Sequence, residues 1–257
     1  MSKFLDRMEK IRNGAPNPMG FGRVATEKVP GMALVGLISG NHATNVAVVA
    51  DLAPDAALVV SLSGPPAMKE LGQALSSVPW GGRVNSLSEE DASAYLDSGC
   101  DLVAFPLVGT SVSAVVSDQV ARILCVDPTL EDRELRAIES LPIDVLLLPM
   151  GGVSGPWTLQ DLATVGGISR RSSKYVLVEV SLTPGRKELE ALRDIGVHGL
   201  VVDIGTTSPE ALAELKAALL DMPRQKPPKS GRANALLPSS AFSVPPQPTK
   251  EDEEEDE

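Results

Sequence analysis

From Met32 onward, short apolar runs alternate with stretches in which apolar residues recur at helical spacing. The runs are 32–39 (M-A-L-V-G-L-I-S), 57–63 (A-L-V-V-S-L-S), 83–87, 102–106, 123–127 (I-L-C-V-D), 145–149 (V-L-L-L-P), 175–181 (Y-V-L-V-E-V-S) and 200–202. Each has the length and aliphatic content of a buried strand. Between them lie helical patterns, carried by Met68, Leu71 and Leu75, by Leu130, Leu135 and Ile138, by Leu189 and Leu192, and by Leu212, Leu215, Leu219 and Leu220. Punctuation agrees with the periodicity. Ser208 is placed to cap the last helix with Pro209 at its first position, Gly196 closes the one before it, and Glu89, Glu90 and Asp91 load the first turn of the third with acid. Only the fourth unit breaks the rhythm: after 102–106 comes G-T-S-V-S-A-V-V-S-D, too short for a good helix.

Strand–helix alternation at this spacing requires parallel strands joined by crossover helices. Eight such units most simply close into one (β/α)8 TIM barrel, an α/β fold. The rival, an open doubly wound sheet, lacks support, because no G-x-G-x-x-G follows the first strand. Ahead of the barrel, Ser2 can cap a helix through about Asn13, with Phe4, Leu5, Met8 and Ile11 on one face and Gly14 ending it. A Pro/Gly-rich connector follows. Its reading as a phosphate loop is weak, since no strand precedes it. The expected organisation is residues 1–30 as helix and connector, 31–223 as barrel and 224–257 as a tail.

Composition narrows the picture. Of 257 residues 43% are hydrophobic but only 3% aromatic, so the core is aliphatic and stacking surfaces for single-stranded nucleic acid are scarce. Net charge is −11. Residues 224–257 hold five basic and seven acidic side chains, which leaves −9 on the rest. An acidic body argues against a nucleic-acid partner. The tail, Pro-rich and then E-D-E-E-E-D-E, has too little apolar content to repay ordering and is expected to be disordered, as a solubilising or partner-binding segment. Cys100 and Cys125 form no C-x-x-C and are read as core residues. No apolar run is long enough to span a membrane, and the charged N-terminal stretch has no signal core, so the expectation is a cytoplasmic chain without a membrane partner.

Barrel sites lie at the carboxyl ends of the strands, and alternation selects the side chains that point inward there. Glu179 on the seventh strand, Asp203 on the eighth and Asp127 on the fifth are the candidate catalytic carboxylates. Glu179 is the most informative, because a carboxylate within V-L-V-E-V-S is costly to bury unless paired, protonated or functional. An ion pair with Arg83 across the interior is its alternative role. Asp127 precedes Pro128 and has helix capping as its alternative. Candidate ligand contacts are Asn41 and His42 after the first strand, Ser61 on the second, Asn85 on the third, Thr183 and Gly185 in the seventh loop, and Gly205, Thr206 and Thr207 in the eighth. The small residues of these last two loops would suit backbone N–H donation to an anion. His42 is either a general base or an ordinary loop residue, and His198 is read as structural. Several chemistries lack their residues. Lys174 is the one strand-associated lysine and sits at the wrong end for a Schiff base. Neither H-E-x-x-H nor G-x-S-x-G occurs. No cofactor and no protein-held metal are expected, although three carboxylates could hold a hydrated Mg²⁺.

The segments E-L-E-A-L-R-D-I-G-V-H-G-L-V-V-D-I and S-P-E-A-L-A-E-L, in the last quarter of the chain, resemble the smaller phosphate-binding barrels such as indole-glycerol-phosphate synthase and thiamine-phosphate synthase. The segments F-L-D-R-M-E-K-I-R-N-G-A-P-N-P-M-G-F-G, I-L-C-V-D-P-T-L-E-D-R-E-L-R-A-I-E-S-L-P-I-D and G-V-H-G-L-V-V-D-I look similar to a family of uncharacterised bacterial barrels, a resemblance that implies a fold and no activity. The expected function is therefore binding of a small anionic or phosphorylated metabolite at the barrel mouth, with lyase or isomerase chemistry. The alternative is a non-catalytic binding or assembly module that contacts a partner through its acidic tail. A homo-oligomer is compatible with either.

Overall fold

A computed structural model describes residues 2–13, 28–40, 42–62, 64–153 and 155–223. The expected connector and C-terminal tail lie outside these residues. The strands are β1 (Ala33–Ile38), β2 (Ala56–Val60), β3 (Trp80–Arg83), β4 (Leu102–Pro106), β5 (Ala121–Cys125), β6 (Val145–Pro149), β7 (Tyr175–Val180) and β8 (Gly199–Asp203). They pair in sequence order, all parallel, and β8 returns to β1, so the sheet closes into a (β/α)8 barrel. The helices are α1 (Lys3–Asn13), α2 (His42–Leu52), α3 (Gly64–Ala74), α4 (Glu89–Asp97), α5 (Asp132–Glu139), α6 (Leu159–Ser169), α7 (Arg186–Asp194) and α8 (Pro209–Asp221). Among the described residues no helix is long and apolar enough to cross a membrane.

Alternation along the strands sorts the aliphatic residues into two cores. Val35, Leu58, Ile123, Leu147, Leu177 and Val201 point inward and fill the barrel. Their neighbours, among them Phe105, Leu124, Leu146, Val178 and Val202, point outward and meet Leu135, Leu192 and Leu215 from the helices. Because both faces are buried, the strands read as continuous apolar runs. The bottom of the barrel is closed by α1, whose Phe4, Met8 and Ile11 join the inner core. Asp101, at the start of β4, holds the helix there, accepting from Ser2 Oγ (2.8 Å) and from the backbone N–H of Lys3 (2.8 Å) and Phe4 (2.7 Å). The carboxylate thus caps α1 from another part of the chain, answering N–H groups that a helix start leaves without partners.

Caps fall where the sequence places them. Ser88 and Thr158 form capping boxes with Asp91 and Asp161, and Ser208 accepts from the Ala211 N–H with Pro209 following. Four boundaries differ from expectation. β2 ends at Val60 rather than at residue 63, which leaves Ser61 beyond the strand. β3 lies at Trp80–Arg83 rather than 83–87. Its Gly81 and Gly82 are there for close approach. A Cβ on Gly81 would sit 1.5 Å from the Leu102 carbonyl oxygen, and one on Gly82 would sit 2.5 Å from the Tyr95 ring. β5 starts and ends two residues earlier than 123–127, so Asp127 is off the strand. α5 begins at Asp132 rather than at Pro128, which is used in a turn; the Glu131 N–H ahead of the helix donates to Glu134 Oε2 (3.1 Å). Unit four carries only a 3₁₀ turn, Ser113–Val115, where its neighbours carry helices. Arg122, on the outer face of β5, supports that turn by donating to Val115 O and bonding Asp144 through Nε (2.9 Å) and Nη2 (2.8 Å).

Candidate functional site

At the carboxyl end of the barrel the aliphatic filling of the interior gives way to chemistry. From β3 comes Arg83, from β5 Cys125 and from β7 Glu179. Arg83 Nη1 donates to Glu179 Oε2 at 2.8 Å, so the pair spans strands on opposite sides of the barrel. Their side chains are 25% and 20% exposed, which leaves the pair accessible from the mouth but mostly dehydrated. Cys125 lies against both. Burial pushes its thiol pKa up, the Arg83 charge and hydrogen bond oppose that, and the net shift is upward. The thiol therefore stays protonated near neutral pH and is a poor nucleophile.

Asp203 forms a separate cluster. Its Oδ2 accepts from Ser39 Oγ (2.6 Å) and its Oδ1 from the Gly205 N–H (2.7 Å). Asn45 from α2 donates to Ser39 O (2.8 Å), which ties the end of β1 to the first turn of the helix that follows it. Asp203 also accepts from Thr207 N–H (3.2 Å) and Thr206 Oγ1 (3.5 Å) through its backbone carbonyl. The eighth loop is thus wound around its own carboxylate. In the seventh loop the Gly185 N–H donates to Glu188 Oε2 (2.6 Å), closing the start of α7. Donors that would suit an incoming anion at Gly185, Gly205 and Thr207 are engaged by acceptors of the chain itself, and no helix intervenes between β8 and α8.

The other candidates scatter. Asp127 is exposed and accepts from the hydroxyl (2.6 Å) and N–H (2.8 Å) of Thr129; these bonds hold its carboxyl below the usual range. His42 opens α2, with Nε2 3.2 Å from Val60 O. Ser61 follows β2 in a left-handed conformation (φ 59°), a strained backbone for a residue other than glycine. Asn85 and Thr183 are exposed beyond the ends of β3 and β7. Asn41 lies outside the described residues. Two contributors went unmarked in the sequence: Cys125, read only as core, and Ser39. Both were legible from alternation, since Cys125 is two residues beyond inward Ile123 and Ser39 two beyond inward Leu37. Among the described residues, no group of three or more His, Cys, Asp or Glu is placed to hold a metal ion.

No family model and no curated protein sequence matches the chain. Solved structures do. A mutant tryptophan synthase alpha-subunit from the hyperthermophile Pyrococcus furiosus superposes with a TM-score of 0.58 at 14% identity, over 75% of this chain and 99% of that one. Another alpha-subunit structure from the same organism, analysed for entropic stabilisation, gives 0.57 at 14% identity over 74% and 96%. A designed cube-shaped protein cage, built by fusing symmetric oligomeric domains, gives 0.55 at 16% identity over 74% and 71%. At these identities the likeness is one of fold: the chain is a TIM barrel of the kind seen in tryptophan synthase alpha-subunits.

Proposed function

We propose that this barrel binds a small anionic metabolite at its mouth, with Arg83 as the recognising cation and Glu179 as the acid/base group. The Arg83–Glu179 pair carries this reading. Holding two charges in a partly dehydrated site is costly, and apolar residues of similar volume would stabilise a barrel top at least as well. A carboxylate or phosphate that enters the mouth can take the guanidinium, whose planar fork suits both. Glu179 is then free to accept a proton from the bound molecule and return it elsewhere. Proton transfer of this kind, without redox chemistry, is the core of lyase and isomerase reactions. With the donors at Gly185, Gly205 and Thr207 already engaged, recognition falls to Arg83 rather than to the seventh and eighth loops. Asp203, fixed by Ser39 and Gly205, shapes the mouth. Kinship with the uncharacterised bacterial barrels that the N-terminal and central segments resemble is part of the same proposal.

A thermal-shift panel of phosphosugars and small carboxylates tests this. A ligand at about 100 times its Kd should raise Tm by about 5 °C or more in a chain of this size. Arg83→Met should abolish that shift, while Glu179→Gln should keep binding within a few-fold and remove turnover. A panel without a stabilising compound, or equal stabilisation of Arg83→Met, contradicts the proposal. The second reading, a non-catalytic binding or assembly module, draws on the self-satisfied loops of units seven and eight and expects no hit.

A further inference from the structure

Among the described residues, the large apolar side chains more than half exposed are Leu107, Val108, Val112, Val116, Leu159 and Leu182. All lie in connections leaving the carboxyl ends of β4, β6 and β7, or in the first turn after them. Four belong to one connection, between β4 and β5, where exposure reaches 84% at Val108 and 79% at Val112. From Leu102 to Ser117 the chain carries no charge. On either side it is acidic: Glu89 and Glu90 open α4, which packs against the 3₁₀ turn, and Asp127 and Glu131 precede α5.

This apolar connection is held in place. The Leu87 N–H donates to Gly109 O (3.2 Å), the Ser111 N–H to Leu87 O (2.9 Å) and Thr110 Oγ1 to Pro106 O (2.7 Å), while Gly109 makes the turn at φ 83°. Exposed valines fixed on such a frame have already met their ordering cost, which favours binding. We propose that this face docks a protein segment whose apolar side chains are flanked by lysines or arginines, the apolar part seated on Val108 and Val112 and the bases against the acids of units three and five. Charge selects this occupant. An anionic membrane or a nucleic acid would meet the same acids and be repelled. A second copy docking through the same patch would bring acid against acid. The exposed area, on the order of a few hundred Å², suits a short segment rather than a permanent dimer. The inference is independent of the metabolite proposal.

Fluorescence anisotropy tests it, using a fluorescein-labelled peptide with a Leu/Val centre and lysines on both sides, against a control with glutamates in their place. The full chain should bind the lysine peptide saturably and the control at least about tenfold more weakly. Val108→Ser with Val112→Ser should weaken binding about tenfold. Glu89→Gln with Glu90→Gln should weaken it and flatten its salt dependence. Arg83→Met should leave it unchanged, which separates this face from the metabolite site. Absence of saturable binding, or binding indifferent to both double substitutions, overturns the proposal. So does a dimer in sedimentation that Val108→Ser dissociates, which would make the occupant a second copy.

Discussion

His198 shows how one residue couples the barrel floor to pH. Its Nδ1 accepts the Val176 N–H (3.1 Å), and its ring meets Tyr175 edge-on at 5.2 Å, with the Arg12 guanidinium 4.8 Å from the Tyr175 ring centre. A protonated ring could not accept that bond. Burial, then the Arg12 charge, lowers the pKa from 6.5 to about 4. Because the folded value is depressed, the unfolded chain binds more protons between these values. The contribution is therefore fully present above pH 6.5 and is lost as pH falls toward 4. The loss amounts to roughly 3 kcal/mol at the low end. His198→Asn keeps an acceptor and removes the titration, so urea unfolding at pH 7 and pH 4.5 should show a smaller loss of stability in the variant. Parallel losses in both proteins would contradict this. The sequence places His198 correctly at the bottom of β8, but its depressed pKa depends on α1 and Tyr175, which only the fold brings to it.

At the scale of elements, periodicity and caps carry most of the structure, and contacts between elements account for what they miss. The strands of units one, four, six, seven and eight and the cap at Ser208 follow from local pattern. β3 does not, because Gly81 and Gly82 are chosen by Leu102 and Tyr95 in other elements. Gly81→Ala should therefore prevent soluble folding, or cost more than about 4 kcal/mol, as seen by yield and urea unfolding. A near-normal melt would mean that β3 and β4 can separate without consequence. The N-terminal helix is likewise set by a distant residue: Asp101 answers three donors at its start. Asp101→Ala should cost about 2–3 kcal/mol and speed amide exchange in α1 more than in β5 or β6. Uniform exchange changes would show that α1 unfolds only with the barrel.

For the molecule as a whole, the barrel is legible because eight repeats must bury eight apolar strands, and few architectures do so. The mouth is only partly legible. Alternation points to Glu179 and offers Arg83 as its partner, and the structure joins them at 2.8 Å. Alternation also offers Asp127, but β5 ends at Cys125, and the following turn carries Asp127 into solvent, where it bonds Thr129. The seventh and eighth loops have the composition of an anion cradle, yet Glu188 and Asp203 take their donors, a competition that spacing alone does not reveal. The central claim is that Arg83 recognises an anion by exchanging Glu179 for it. The most direct measurement is a crystal structure of the chain soaked with the most stabilising phosphosugar or carboxylate of the panel. The account predicts the anion within hydrogen-bond distance of the Arg83 guanidinium, with Glu179 moved away from it. An intact Arg83–Glu179 pair, with the ligand bound elsewhere or not at all, would contradict it.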